Sequence, residues 1–160
     1  MNKTTVAVIL CSLWCCTVHS AEWKKDDFIK LWNQVRTSIQ NGDYASFQKL
    51  QAPAKEPKRQ LTKEQFSQAK EFLLTTYPDL STINFLKFEQ DKAEALFVLQ
   101  TYLDDKTYIT LDAYKFIKQD NLWKVSGQVG GISFAKSSPD ADKKAIEKEL
   151  TTNPKFTIGS

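Results

Sequence analysis

Tyr108, Thr110, Asp112 and Tyr114 stand at every second position of one stretch, and Phe116 continues the row. Period-two spacing puts these side chains on one face of a β-strand. A carboxylate between two tyrosines is a recognisable acid–base arrangement, because apolar surroundings raise an Asp pKa towards the range where proton transfer is useful. The same row is also ordinary sheet surface, since Tyr and Thr are favoured strand residues and pair well across strands. Trp32 and Trp123 are candidates for stacking a ligand, and both sit in apolar patterns that suit a core. The candidate ligand contacts are therefore Trp32, Tyr108, Asp112 and Tyr114; no residue is assigned as catalytic.

Other chemistry is limited by what the chain contains after its first residues. Lys3 precedes an apolar run from Val6 to Cys16, and Val18-His19-Ser20 leads to Ala21. This pattern is expected to be a signal peptide, residues 1–20, cut at about Ser20. The run is short of the roughly 20 apolar residues that a membrane span needs. A lipidated cysteine fits poorly, because Trp14 rather than a small residue precedes Cys15. All three cysteines (Cys11, Cys15, Cys16) and the single histidine, His19, fall within this leader. Residues 21–160 then offer no thiol nucleophile, no disulfide, no imidazole base and no Cys or His metal ligand. No cofactor and no metal are expected. The acidic pairs Asp104-Asp105 and Asp140/Asp142 have the form of turn and helix-start residues. The glycines Gly127, Gly130 and Gly131 lack the lysine and spacing of a phosphate loop.

The formal net charge is +3, one unit lower without Lys3, which is too small to draw the chain to nucleic acid. Beyond the leader there is no Asn-x-Ser/Thr sequon. The expected localisation is the bacterial periplasm, or secretion. Residues 21–160 suit a single domain.

Elements that would position the row are legible on both sides of it. Phe28, Leu31, Trp32, Val35 and Ile39 form a helical stripe, with Asp26 or Asp27 as its N-cap and Asn41-Gly42-Asp43 as its stop. Tyr44, Phe47 and Leu50 repeat the spacing in a short second helix. The stretch 52–59, with Pro53, Pro57, Lys55, Lys58 and Arg59, reads as a solvated loop. Thr62 and Gln65 make a capping box for a third helix, expected to bury Phe66, Ala69, Phe72 and Leu73 and to end before Tyr77-Pro78.

Four strands follow: Ile83 to Phe88, Ala95 to Leu103, Thr107 to Lys118 and Leu122 to Val129, with turns at Asp104-Asp105-Lys106 and Gln119-Asp120-Asn121. In the second strand Phe97, Leu99 and Leu103 oppose Leu96, Val98 and Tyr102, so both faces need covering. Helices account for one face; the other calls for a partner subunit, the C-terminal segment or a ligand. Gly130-Gly131 is expected to bend the chain after the last strand. Residues 131–160 read as a peripheral tail, with a short helix from Ala141 to Leu150 docking through Ala145, Ile146 and Leu150, and an end that frays.

The fold class is therefore α+β: three N-terminal helices on a curved four-stranded antiparallel meander, with a short C-terminal helix. This order resembles the nuclear-transport-factor-two-like superfamily, the cystatin-like cone. The residues that carry the resemblance are the stripe Phe28 to Ile39 closed by Asn41-Gly42-Asp43, the strand Lys92 to Leu99, and the hairpin Asp120-Asn121-Leu122-Trp123-Lys124-Val125. The likeness covers about residues 26 to 129. It implies a cone-shaped cavity between helices and concave sheet, and a sheet that often mediates dimerisation. It implies no activity, because the superfamily holds isomerases, dehydratases, transport components and secretion proteins.

The functional expectation is a non-enzymatic exported protein that buries a small amphipathic ligand in the cavity, or an envelope protein on the sheet, with a homodimer through the outer sheet face. The alternatives are a histidine-free isomerase or dehydratase using Asp112 with Tyr108 or Tyr114, and a scaffold subunit of an envelope or secretion complex. The enzyme reading requires Asp112 to be buried within hydrogen-bond reach of a tyrosine. No stable membrane span remains once the leader is cut.

Overall fold

The computed structural model describes residues 23–53, 60–103 and 105–159. The expected leader, the proline-rich stretch 54–59 and Asp104 of the first β-turn lie outside the described residues.

The first helix, α1, spans Lys25–Gln40. Its stripe is the centre of the core: Phe28, Trp32, Val35 and Ile39 have no exposed surface, and Leu31 almost none. The N-terminus differs from expectation. Lys24 holds the cap position, one turn ahead of Asp27, whose carboxylate accepts from the Lys24 N–H at 3.0 Å. Asp27 caps from inside the helix because its side chain can reach back to a donor that Lys24 itself cannot satisfy. The stop is as read: Gly42 adopts φ +68°, and the Gly42 and Asp43 amides close on Ile39 and Ser38 carbonyls. Asp43 then caps α2 (Tyr44–Leu50), accepting from the Ser46 amide at 3.0 Å.

The expected third helix is two short ones, α3 (Lys63–Gln68) and α4 (Lys70–Thr76), hinged at Ala69. The Thr62–Gln65 capping box forms, with reciprocal bonds of 2.9 and 3.2 Å. Phe66 and Leu73, seven residues apart, share a face and are buried. Phe72 is not; it is 71% exposed. Within α4 Phe72 sits about 100° round the axis from buried Leu73, off the buried stripe.

The sheet is an antiparallel meander in the order β1-β2-β3-β4. Its strands are β1 (Asn84–Gln90), β2 (Glu94–Leu103), β3 (Tyr108–Gln119) and β4 (Leu122–Ala135). Asp120 and Asn121 both have positive φ, the two-residue hairpin geometry that follows strand twist. The last strand runs well beyond Val129. Gly130 and Gly131 lie inside it, opposite Ala113 and Asp112, and the register shifts occur before them, around Val129 and Ser126. These glycines serve close approach rather than a bend. A Cβ on Gly131 would stand 2.7 Å from Asp112 Oδ1, and one on Gly130 would stand 2.8 Å from Lys155 Cδ.

Both sheet faces are covered. Ala95, Phe97, Leu99, Tyr114, Phe116 and Val125 face the helices, while Leu96, Val98, Ile109, Leu111 and Ala113 face the C-terminal segment. That segment is neither peripheral nor frayed. Ser138 and Pro139 start α5 (Pro139–Thr152), longer than expected, and Ile146 and Leu150 pack on the outer face. A 3-10 turn, Pro154–Phe156, seats Phe156 without exposure between the strands' side chains. Lys87 Nζ donates to the Phe156 carbonyl at 2.8 Å, and Glu89 accepts from the Ile158 amide at 3.1 Å. The outer face thus meets the chain's own C-terminal segment, which removes the apolar surface on which the expected homodimer was argued.

Candidate functional site

The row on β3 splits between core and rim. Tyr114 and Phe116 are buried, Asp112 is nearly so, and Tyr108, at the strand's open end, is 42% exposed. Trp32 crosses Tyr114 edge-to-face at 4.8 Å and donates its indole N–H to the Pro78 carbonyl at 2.9 Å. Trp32, Tyr114 and Tyr77 form one aromatic wall, with Trp32 and Tyr77 centroids 5.1 Å apart. Burial pushes the Tyr77 hydroxyl up to about 12. Burial also raises the Tyr114 hydroxyl, with the Asp112 carboxylate and Tyr77 adding to the effect. Neither phenol ionises in ordinary conditions, so both act as neutral hydrogen-bonding groups.

Asp112 is held by two donors. Gln128 Nε2 reaches Oδ1 at 2.7 Å from β4, and Thr101 Oγ1 reaches Oδ2 at 3.2 Å from β2. Burial raises the carboxyl above its ordinary value, and these two hydrogen bonds offset part of the rise. Among the described residues no tyrosine hydroxyl is a hydrogen-bond partner of Asp112. Its partners are an amide and an alcohol, groups suited to holding a carboxylate in place rather than exchanging protons with it.

The structure opens beside this wall rather than on it. A cleft of about 690 Å³ lies between α2, the 60–61 segment, α4 and the bulged part of β4. Phe47, Leu61, Phe72, Leu73, Tyr77 and Val129 give it apolar surface; Gln48, Gln51, Thr76 and Gln128 give it hydrogen-bonding groups. None of the described lining residues carries a formal charge. Exposed Phe72 and half-exposed Val129 are apolar side chains left facing water at this cleft. At its base Tyr77 Oη donates to Gln51 Oε1 at 3.1 Å, while Gln51 Nε2 is buried with no partner. The β4 wall comes close because Ala52 N–H bonds the Val125 carbonyl at 2.8 Å and Gly127 turns with φ +98°. A second hollow, about 620 Å³ between α1 and α2, is lined mainly by Lys30, Asn33, Gln34, Thr37 and other polar side chains and holds no aromatic residue. Its wall is mostly apolar in surface, from the stems of these side chains and Leu50, but it is a shallower and more open hollow than the cleft.

Of the four residues expected at a site, Trp32 and Tyr114 stand in the aromatic wall, Asp112 lies behind Gln128, and Tyr108 is at the far end of β3. None of them lines the cleft. The residues that do line it include Gln51, Phe72, Tyr77 and Gln128, drawn from three elements: the end of α2, α4 with its C-cap, and β4. The spacing had placed Phe72 in the packed stripe, and only the structure shows it as an exposed aromatic at the cleft. Among the described residues no three Asp or Glu side chains converge as metal ligands, and no helix is long and apolar enough to cross a membrane.

No family model and no curated protein matches the chain. Solved structures to which it is similar include two from bacteria. One is described as a putative calcium/calmodulin dependent protein kinase II association domain from Xanthomonas campestris, with 14% identity over 74% of this chain and 92% of that one, TM-score 0.39. The other is an NTF-2 like protein of unknown function from Shewanella oneidensis MR-1, with 13% identity over 64% of this chain and 94% of that one, TM-score 0.37.

Proposed function

We propose that this chain is a non-enzymatic, exported binding protein that holds a small amphipathic molecule in the cleft between α2, α4 and β4. The observation that carries the reading is the cleft itself: about 690 Å³ of mixed aromatic and amide lining, with no formal charge on its described residues. Volumes of this size accommodate small organic ligands, and apolar burial supplies affinity while a few polar groups fix orientation. The described lining offers no counter-charge to an ionic ligand that loses its hydration there. The acid–base alternative finds less support, because Asp112 pairs with Thr101 and Gln128 rather than with a tyrosine.

Native mass spectrometry of the protein purified gently from expressing cells tests this. The reading expects a mature N-terminus at Ala21 and a retained mass of a few hundred daltons that organic solvent strips away. A protein that is empty as isolated, and that binds no neutral amphiphile when titrated, would contradict it.

A further inference from the structure

The two edges of the sheet are unlike. β1 is guarded: its register shifts between Phe85 and Lys87, and Lys87 and Glu89 put charges on it, paired at 2.8 Å. Bulges and charges discourage a sheet edge from taking up another strand. β4 is open. Among the described residues, the main-chain bond that another element makes to its free edge is from the Ala52 N–H to the Val125 carbonyl. Beyond that rung, residues 130–135 carry no charge and no proline, and none of them is buried. α5 lies towards the other side of the sheet, sharing a hollow with Leu86, Tyr102 and Ile109 of β1, β2 and β3.

We propose that residues 130–135 pair edge to edge with the same residues of a second copy, antiparallel about a two-fold axis, joining two four-stranded sheets into one. The occupant follows from self-complementarity. The regular part of β4 runs from the bulge at Val129 to Ala135, and its midpoint is Ile132. Centred there, Ile132 meets its own copy, Ser133 meets Gly131, and Phe134 meets Gly130 with the Lys155 stem lying over it. Each pair shares a face, as opposite residues of antiparallel strands do, and no rung brings like charges together. An aromatic side chain across from a glycine covers main chain that the glycine leaves bare. Because β1 is guarded, pairing closes at two copies instead of growing into a filament. These rungs bury less than the roughly 1,200 Å² of a standard interface, so the dimer exchanges with monomer in the micromolar range. The pairing lies beyond the part of β4 that lines the cleft, and it does not depend on that site.

Sedimentation velocity and amide hydrogen exchange of the purified protein, each across a concentration series, test this. The expected result is a monomer–dimer equilibrium in which the edge-facing amides of residues 130–135 exchange more slowly as the dimer fills, while β1 is unchanged. Ser133→Lys, at an exposed position, sets like charges near each other across the axis and should weaken dimerisation about three- to fivefold. A protein that stays monomeric throughout the series would overturn the proposal. So would a dimer whose newly protected amides lie elsewhere, or a folded Ser133→Lys that dimerises as well as wild type. Edge amides already protected in the dilute monomer would overturn it too, because another part of the chain would then hold the edge. Should Ser133→Lys fold poorly once its 3.0 Å bond to Thr110 is lost, the exchange series on wild type decides alone.

Discussion

A buried carboxylate on neutral partners leaves a signature in the pH dependence of stability. The native Asp112 carboxyl lies above its ordinary value of 3.8, because burial disfavours the charged form more than Thr101 and Gln128 favour it. The folded state therefore keeps this proton to higher pH than the unfolded chain. Stability linked to the group is present below the unfolded value and is lost as pH rises through the native one. Asp112→Asn removes that loss. The variant is expected to be no less stable than wild type at neutral pH, with its relative advantage shrinking as pH falls from the native value towards the unfolded one. Urea melts of both proteins from about pH 3 to about pH 8 measure the difference. A variant that loses stability at neutral pH and not in acid would show that the charged form is the one the fold favours.

At the scale of elements, α3 and α4 separate packing from binding. Phe66 is buried among Tyr44 and Phe47, with ring centroids at 5.5 and 4.8 Å, whereas Phe72 faces the cleft and is mostly exposed. Phe66→Ala is expected to cost about 3–5 kcal/mol in a urea melt. Phe72→Ala should stay within about 0.5 kcal/mol of wild type yet measurably weaken binding of 2-naphthol, a neutral amphiphile. The stripe of α1, the Thr62–Gln65 box, the glycine stop at Gly42 and the Asp120-Asn121 turn were all legible in the sequence, because each depends on residues a few positions apart. The cleft was not. Its walls come from α2, α4 and β4, and nothing local announces that Gln51, Tyr77 and Gln128 meet. The row from Tyr108 to Phe116 was read correctly as one face of a strand. Strand period says nothing about which stretch of that face the helices bury, so Tyr114 reached the core and Tyr108 did not.

At the scale of the whole molecule, the sheet's second apolar face was legible and its cover was among the options read, yet the tail's own sequence understated it. A mostly charged helix with few apolar positions suggests weak docking. The anchor is instead Phe156, beyond that helix, with Lys87 donating to its carbonyl and Glu89 accepting from the nearby Ile158 amide. Phe156→Ala is expected to cost about 3–5 kcal/mol and to expose the outer face. Size analysis of this variant should show more self-association than wild type; unchanged association and unchanged stability would contradict the anchoring role. The central claim, that the cleft between α2, α4 and β4 is where a neutral amphiphile binds, is tested most directly by amide chemical-shift mapping during a 2-naphthol titration. The account predicts saturable shifts centred on Phe47, Gln51, Phe72, Tyr77 and Gln128. Shifts clustered between α1 and α2 or under α5, or no saturable shift at all, would contradict it.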